Sequence, residues 1–248
     1  MCAIIGAILK DPRKEDFEML RRVFIESRIR GMHATGISFL PKWSDKVVTI
    51  KEAVPADKFI ETHMHIDNMK EMLNADNNLY LIGHCRYSTS DLSYNQPIAN
   101  DKVSIVHNGV ITQENPSNWK ELYGYDTETL NDSELILKTL EAEHELSALQ
   151  PLEKWPESSI AVAELRNNKT IRCYRNGKRP LYLTLNQRYG IITSTVDIAR
   201  RSNIVTEDSN LLEINMNQYV VLNSDLRMHI KQIDSDLPDL QRVKYNAI

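Results

Sequence analysis

The 248-residue sequence is short of several things, and each shortage closes off a class of protein. It has three cysteines, Cys2, Cys85 and Cys173, an odd number with neither a disulfide framework nor zinc-ligand spacing. Such thiols suit a reducing compartment, and a cytoplasmic location is the expectation. Positive charge is not in excess: 30 Lys and Arg against 34 Asp and Glu leave a net −4. No sizeable basic surface follows, which argues against nucleic acid and against an anionic membrane as partners. No apolar run approaches the roughly 18–20 residues of a membrane-spanning helix. No basic stretch precedes the first apolar run, as a signal peptide would require. Eight glycines and nine prolines form no linker, repeat or low-complexity tract. One domain over residues 1–248 is expected, long enough for a full core.

What is present reads as interleaved strands and helices. Residues 3–9 are apolar on both alternating faces, as in a strand covered on both sides. Phe17, Leu20 and Phe24, spaced i, i+3, i+7, predict a helix over 15–29 after the Asp11-Pro12 turn signal. Residues 30–36 form a loop with a glycine near each end, followed by strands at 37–40 and 47–50. A single helix is expected over 56–73, with His63-Met64-His65 in its polar, solvated part. A strand at 79–82 runs into a polar loop at 83–89, and one at 103–106 runs into His107-Asn108-Gly109, where Asn-Gly signals a tight turn. Asp132 or Ser133 is the expected N-cap of a helix reaching about residue 142. Beyond it come strands at 160–165, 170–174, 180–185 and 191–193, a short helix at 197–201, and strands at 211–214, 219–222 and 226–230. This alternation predicts a layered α+β sandwich.

Four polar clusters each border an apolar segment: Cys2, residues 83–89, residues 107–109 and residues 131–134. Removal of Met1 would leave Cys2 with both a thiol and a free α-amine, whose ordinary pKa is roughly 7.7–8.0. An N-terminal nucleophile served by its own amine is a route to acyl transfer. Taken singly, each cluster also has a plain structural explanation. Cys2 could be a buried strand cysteine, Arg86 a structural arginine, Asn108-Gly109 a hairpin turn and Asp132 a helix cap. His33, His84 and His107 lack metal-ligand spacing, so no metal is expected.

Taken in order, the clusters resemble the class II glutamine amidotransferase domain, a member of the N-terminal-nucleophile hydrolases. Met1-Cys2-Ala3-Ile4 resembles that family's Met-Cys-Gly-Ile opening, and residues 30–36 its Arg-Gly-x-Asp-x-x-Gly. Gly83 through Thr89 matches Gly-His-x-Arg-Tyr/Trp-x-Thr, and the Tyr-Ser-Thr ending is most similar to the amidophosphoribosyltransferase branch. Gln96-Pro97, His107-Asn108-Gly109, Asp132-Ser133-Glu134 and Gly177-Lys178-Arg179-Pro180-Leu181 continue the likeness to the end of the chain.

The resemblance implies a four-layer αββα sandwich, two stacked antiparallel sheets between helical layers, and L-glutamine as substrate without a cofactor. It makes Cys2 the nucleophile, and Asn108 and Gly109 the donors to the oxyanion. Arg86 and Thr89 would hold the substrate carboxylate and Asp132 its ammonium. Arg30, His84 and His107 would be supporting residues, Arg30 bracing a loop and the histidines hydrogen-bonded. No acceptor domain follows, so ammonia would pass to a separate synthase subunit. A stand-alone hydrolase of γ-glutamyl amides and a catalytically silent binding module are the alternatives, and a homo-oligomer stays open. Two positions depart from the pattern. Ala3 replaces a glycine behind the nucleophile, where overpacking would reshape the pocket, and His33 replaces an aspartate that would order its loop.

Overall fold

β1 (Ala3–Leu9) is buried along its whole length, so it must run inside a sheet with a layer on each face. The computed structural model describes residues 1–88, 95–143, 145–153 and 157–233. In chain order β1 is followed by α1 (Lys14–Ser27), a 3-10 turn (Arg28–Arg30), β2 (Ala34–Phe39), β3 (Val48–Glu52), α2 (Ala56–His63), α3 (Ile66–Glu71) and β4 (Leu79–Arg86). Then come β5 (Ile98–Ala99), β6 (Val103–His107), α4 (Trp119–Tyr123) and α5 (Ser133–Glu143). The chain goes on with β7 (Ala161–Arg166), β8 (Thr170–Arg175), β9 (Tyr182–Leu185), β10 (Tyr189–Thr193), α6 (Val196–Arg201), β11 (Asn210–Glu213), β12 (Gln218–Leu222) and β13 (Met228–Gln232).

The strands form two antiparallel sheets, one ordered β11-β9-β10-β1-β4-β2-β3 and the other β13-β12-β8-β7-β6-β5. Three apolar layers hold them. Phe17, Leu20 and Phe24 of α1 pack with Phe59 of α2 on Ala3, Ile5 and Ala7, one face of β1. The opposite face, Ile4 and Ile8, meets Val106, Ala163 and Val220 of the second sheet. Leu135, Ile136 and Leu140 of α5 cover the outside of that sheet through Ile105, Val162 and Tyr174. Each large apolar side chain so buried adds about 1.5–3 kcal/mol before entropy is counted. This is the α+β architecture of helices, sheet, sheet and helices that the alternation and the resemblance led to.

Local structure departs from the sequence expectation in three places. The helix expected over 56–73 is two, because Met64 leaves the helical region (φ −116°, ψ 37°) and His65 restarts the chain in extended form. Met64 is fully buried at the break. His63 is not solvated: Nε2 lies 2.8 Å from Glu52 Oε1 and the ring stacks at 4.7 Å on Phe59. The 83–86 stretch is strand rather than loop, since β4 runs on to Arg86 between β1 and β2. Asn108-Gly109 is not a hairpin turn. Asn108 N–H donates to Ala161 O (2.9 Å), and Val110 bridges Ser159 in unchanged register with β6–β7.

The two sheets approach closely at Gly36. A Cβ there would sit 2.4 Å from Gln96 O and 2.8 Å from Pro97 Cδ, a backbone carbonyl and a ring that cannot swing away. Gly36→Ala should therefore lower the unfolding free energy by about 1–3 kcal/mol. Urea unfolding of the two proteins measures this, and an unchanged midpoint would contradict the close approach.

Candidate active site

The β1–β4 register decides where the first residues sit. Ala3 lies opposite Cys85 and Ile4 opposite His84, so Cys2 emerges beside Arg86 at the end of β4. Side chains alternate along both strands. Ala3 and Cys85 face the helices, in the core with Phe24, whereas Ile4 lies in the core between the sheets. The Ala3 methyl thus points away from Cys2's side of the sheet, into the core under the helices. Cys2, His84 and Arg86 line a cleft of about 640 Å³, closed on the other side by His107, Gly109 and Asp132.

Cys2 N–H donates to Asn108 Oδ1 (3.3 Å) across the gap between the sheets, and Cys2 Sγ lies 3.9 Å from Tyr87 O. Asn108 is 3% exposed, and its Nδ2 has no hydrogen-bond partner among the described residues. A buried amide donor left without a partner costs about 1–3 kcal/mol, so an unpartnered Nδ2 between two cleft-lining residues, His107 and Gly109, is a feature to explain. Gly109 must be glycine: a Cβ would lie 1.8 Å from Ser159 O. Its φ is not positive. Contact with the neighbouring strand, rather than backbone conformation, excludes a side chain.

A closed polar ring fixes this wall. His107 N–H donates to Gln96 Oε1 (2.5 Å), and Gln96 Nε2 donates to Ser133 Oγ (3.1 Å). Ser133 Oγ lies 2.8 Å from His107 Nδ1, and His107 Nε2 lies 3.0 Å from Ser159 O. A carbonyl only accepts, so Nε2 carries the proton and Nδ1 accepts from the serine. Burial, with Arg179 adding to it, pushes the His107 pKa down, and Asp132 and the Ser159 carbonyl oppose the shift. His107 is therefore the hydrogen-bonded support expected.

Asp132 is not a cap of its own helix. Its Oδ2 accepts from Ile111 N (2.6 Å) and Thr112 N (3.3 Å), while Asn131 Oδ1 accepts from Ser133 N (3.0 Å) and serves α5. Glu134, 3% exposed, accepts from the 128 and 129 backbone N–H groups at 2.7 Å each. Arg86 is 8% exposed and donates from Nη1 to Asn95 Oδ1 (3.1 Å). Arg30 donates from Nε to Cys2 O (3.0 Å), bracing the peptide after Cys2. His33 accepts from Ser88 N (2.8 Å) and stacks at 5.0 Å on Tyr87. An imidazole thus ties down the 30–36 loop at the position where the resemblance led to a carboxylate. Thr89 lies outside the described residues.

The motifs contain Gln96 and Glu134 without assigning them roles, and Ser133, read from the sequence only as a possible helix cap, instead bonds His107 and Gln96 through Oγ. Their work is to hydrogen-bond across long chain separations, which spacing does not reveal. Among the described residues, no group of three or more His, Cys, Asp or Glu could hold a metal ion, and no helix is long and apolar enough to cross a membrane.

His84 departs from expectation. It is 1% exposed, and neither ring nitrogen has a hydrogen bond among the described residues. Burial first, then Arg86 and His107, pushes its pKa down to about 3. His84 is neutral in the fold but binds a proton in the unfolded chain below about 6.5. It therefore contributes stability that is fully present above pH 6.5 and is lost as the pH falls toward 3. Between pH 7.5 and 4.5 the protein should lose about 2–3 kcal/mol more unfolding free energy than His84→Gln. Urea unfolding at the two pH values measures the difference, and parallel losses would show that His84 is not held neutral.

No family model matches the chain, and no curated protein matches it by sequence. Solved structures do match. Glutamine phosphoribosylpyrophosphate amidotransferase from B. subtilis, complexed with ADP and GMP, superposes with a TM-score of 0.66 at 15% identity over 92% of this chain. A structure described as the allosteric regulatory enzyme of purine biosynthesis gives 0.65 at 15% identity over 93%. The chain spans 49% of the length of each of these two. A glutamine aminotransferase class-II domain protein from Silicibacter pomeroyi gives 0.54 at 8% identity, covering 95% of this chain and 100% of that one. The chain thus has the fold of the class II glutamine amidotransferase domains, the N-terminal-nucleophile hydrolase sandwich of two antiparallel sheets between helices.

Proposed function

We propose that residues 1–248 are a class II glutamine amidotransferase domain that hydrolyses the γ-amide of L-glutamine and supplies ammonia to a separate acceptor protein. One observation carries this reading. Asn108 holds the Cys2 nitrogen through Oδ1 and keeps a buried Nδ2 without a partner among the described residues, next to Gly109, a cleft-lining position that admits only glycine. In this structure the Cys2 nitrogen is a peptide nitrogen bearing Met1, so the chemistry belongs to the chain after Met1 is removed.

In that chain Cys2 Sγ adds to the γ-carbonyl carbon as the α-amine takes the thiol proton. Asn108 Nδ2 and Gly109 N–H donate to the oxyanion, a contact stronger in the transition state than in the ground state. The C–N bond then breaks, the proton passes from the α-amine to the leaving nitrogen, and ammonia departs. Water hydrolyses the remaining thioester to glutamate and frees the thiol. Arg86 suits the α-carboxylate through its planar fork, with Thr89 adding a hydroxyl. Asp132 suits the α-ammonium, and Arg30, His84 and His107 hold the frame. Transfer to a separate acceptor is part of this reading; the Silicibacter structure shows only that this fold also occurs on a chain matched over its whole length. A cytoplasmic location belongs to the same reading, and all three cysteines are free thiols.

Protein lacking Met1 should release glutamate from glutamine, and Cys2→Ala should release none. Asn108→Ala should lower kcat about 10²–10³-fold, while Asp132→Asn should act mainly on KM. Coupled glutamate assays measure all four proteins. The proposal falls if Met1-free protein neither releases glutamate nor is labelled at Cys2 by a glutamine-like chloroketone.

A further inference from the structure

Two guanidinium groups converge on the first residue. Arg30 Nη2 lies 3.7 Å from Met1 Sδ, and Arg179 Nη1 lies 3.6 Å from the same atom. Arg30 arrives on the 3-10 turn after α1, and Arg179 on the connection between β8 and β9. Arg30 also reaches Cys2 O. Arg179 Nε is buried and makes no hydrogen bond among the described residues. The two cations act on each other, since burial and then Arg179 push the Arg30 pKa down. Like charges brought together around one side chain are unfavourable unless they serve a neighbouring group.

Met1, itself 63% exposed, brings its sulfur against both of them. Once it is gone, the group left beside them is the Cys2 α-amine, tied to Asn108 Oδ1. Protonation there would add a third positive charge. We propose that Arg179, acting with Arg30, keeps the Cys2 α-amine unprotonated near neutral pH, and so is a positioning residue for the thiol's proton transfer. This rests on the function proposed above.

The other charges around the amine leave the sign unchanged. β4 supplies Arg86, a further cation, and His84, held neutral. β6 supplies His107, whose pKa is also pushed down, and His33 accepts a backbone N–H on the loop after Arg30. Lys178, beside Arg179, interacts with Glu153 and Glu157. The cleft's carboxylates are Asp132, which accepts the 111 and 112 backbone N–H groups, and Glu114 on the far wall.

The test is the pH dependence of Cys2 alkylation by a glutamine-like chloroketone. It compares wild type, Arg179→Gln and Arg179→Lys, each confirmed by intact mass to lack Met1. The acid limb should move up by about one pH unit in Arg179→Gln and return to the wild-type position in Arg179→Lys. A purely structural arginine would lower the rate equally at every pH and leave the limb in place, and that result overturns the inference. Arg179→Met keeps the aliphatic stem and serves the same comparison if the Gln variant folds poorly. A wild type that is not alkylated at any pH sinks the glutaminase reading itself, a different outcome from an unmoved limb.

Discussion

One hydrogen bond spans the two sheets at the cleft: Cys2 N to Asn108 Oδ1. An amide side chain has one acceptor end and one donor end. Spending the oxygen on Cys2 leaves the nitrogen as a buried donor without a partner among the described residues. The same contact therefore fixes both the first residue and the orientation of the amide, and neither is free to relax without the other. Everything that positions Asn108 becomes part of the site. The backbone pairing of Asn108 with Ala161 does so, and so does the ring of His107, Gln96, Ser133 and Ser159 behind it.

Burial then sorts the charges. Burial pushes the pKa values of His84 and His107 down, so the permanent cations near Cys2 are arginines, which do not titrate near neutrality. Arg30 touches the Cys2 carbonyl and Arg86 stands at the end of the adjoining strand. Asp132 faces them across the cleft from the start of α5. The cleft thus carries charges of both signs among its lining residues, and on the reading proposed above such a field would orient a zwitterion before any contact is optimised.

The sequence disclosed those parts of the fold whose causes are local. The two-faced apolar run of β1 and the i, i+3, i+7 spacing of Phe17, Leu20 and Phe24 are local, and both elements formed where their patterns lay. What it concealed was non-local. Asn108-Gly109 carries a strong short-range turn signal, yet it runs straight on because Ser159, far along the chain, pairs with Val110. The break at Met64 has no Gly or Pro to announce it and comes from drawing one side chain into the core. Asp132 reads as a cap by position and acts as a strut for the 111–112 backbone by geometry. The identities of the candidate site residues were legible through their order. The roles of Ser133 and Gln96, and the unpartnered imidazole of His84, needed three dimensions.

Met1 is 63% exposed at the edge of this cleft. On the reading proposed above, that exposure leaves Met1 open to trimming on the finished fold, with Asn108 and both sheets already in place around the next residue. The amine that the proposed chemistry needs would then be the last part of the site to form, and folding would not depend on it.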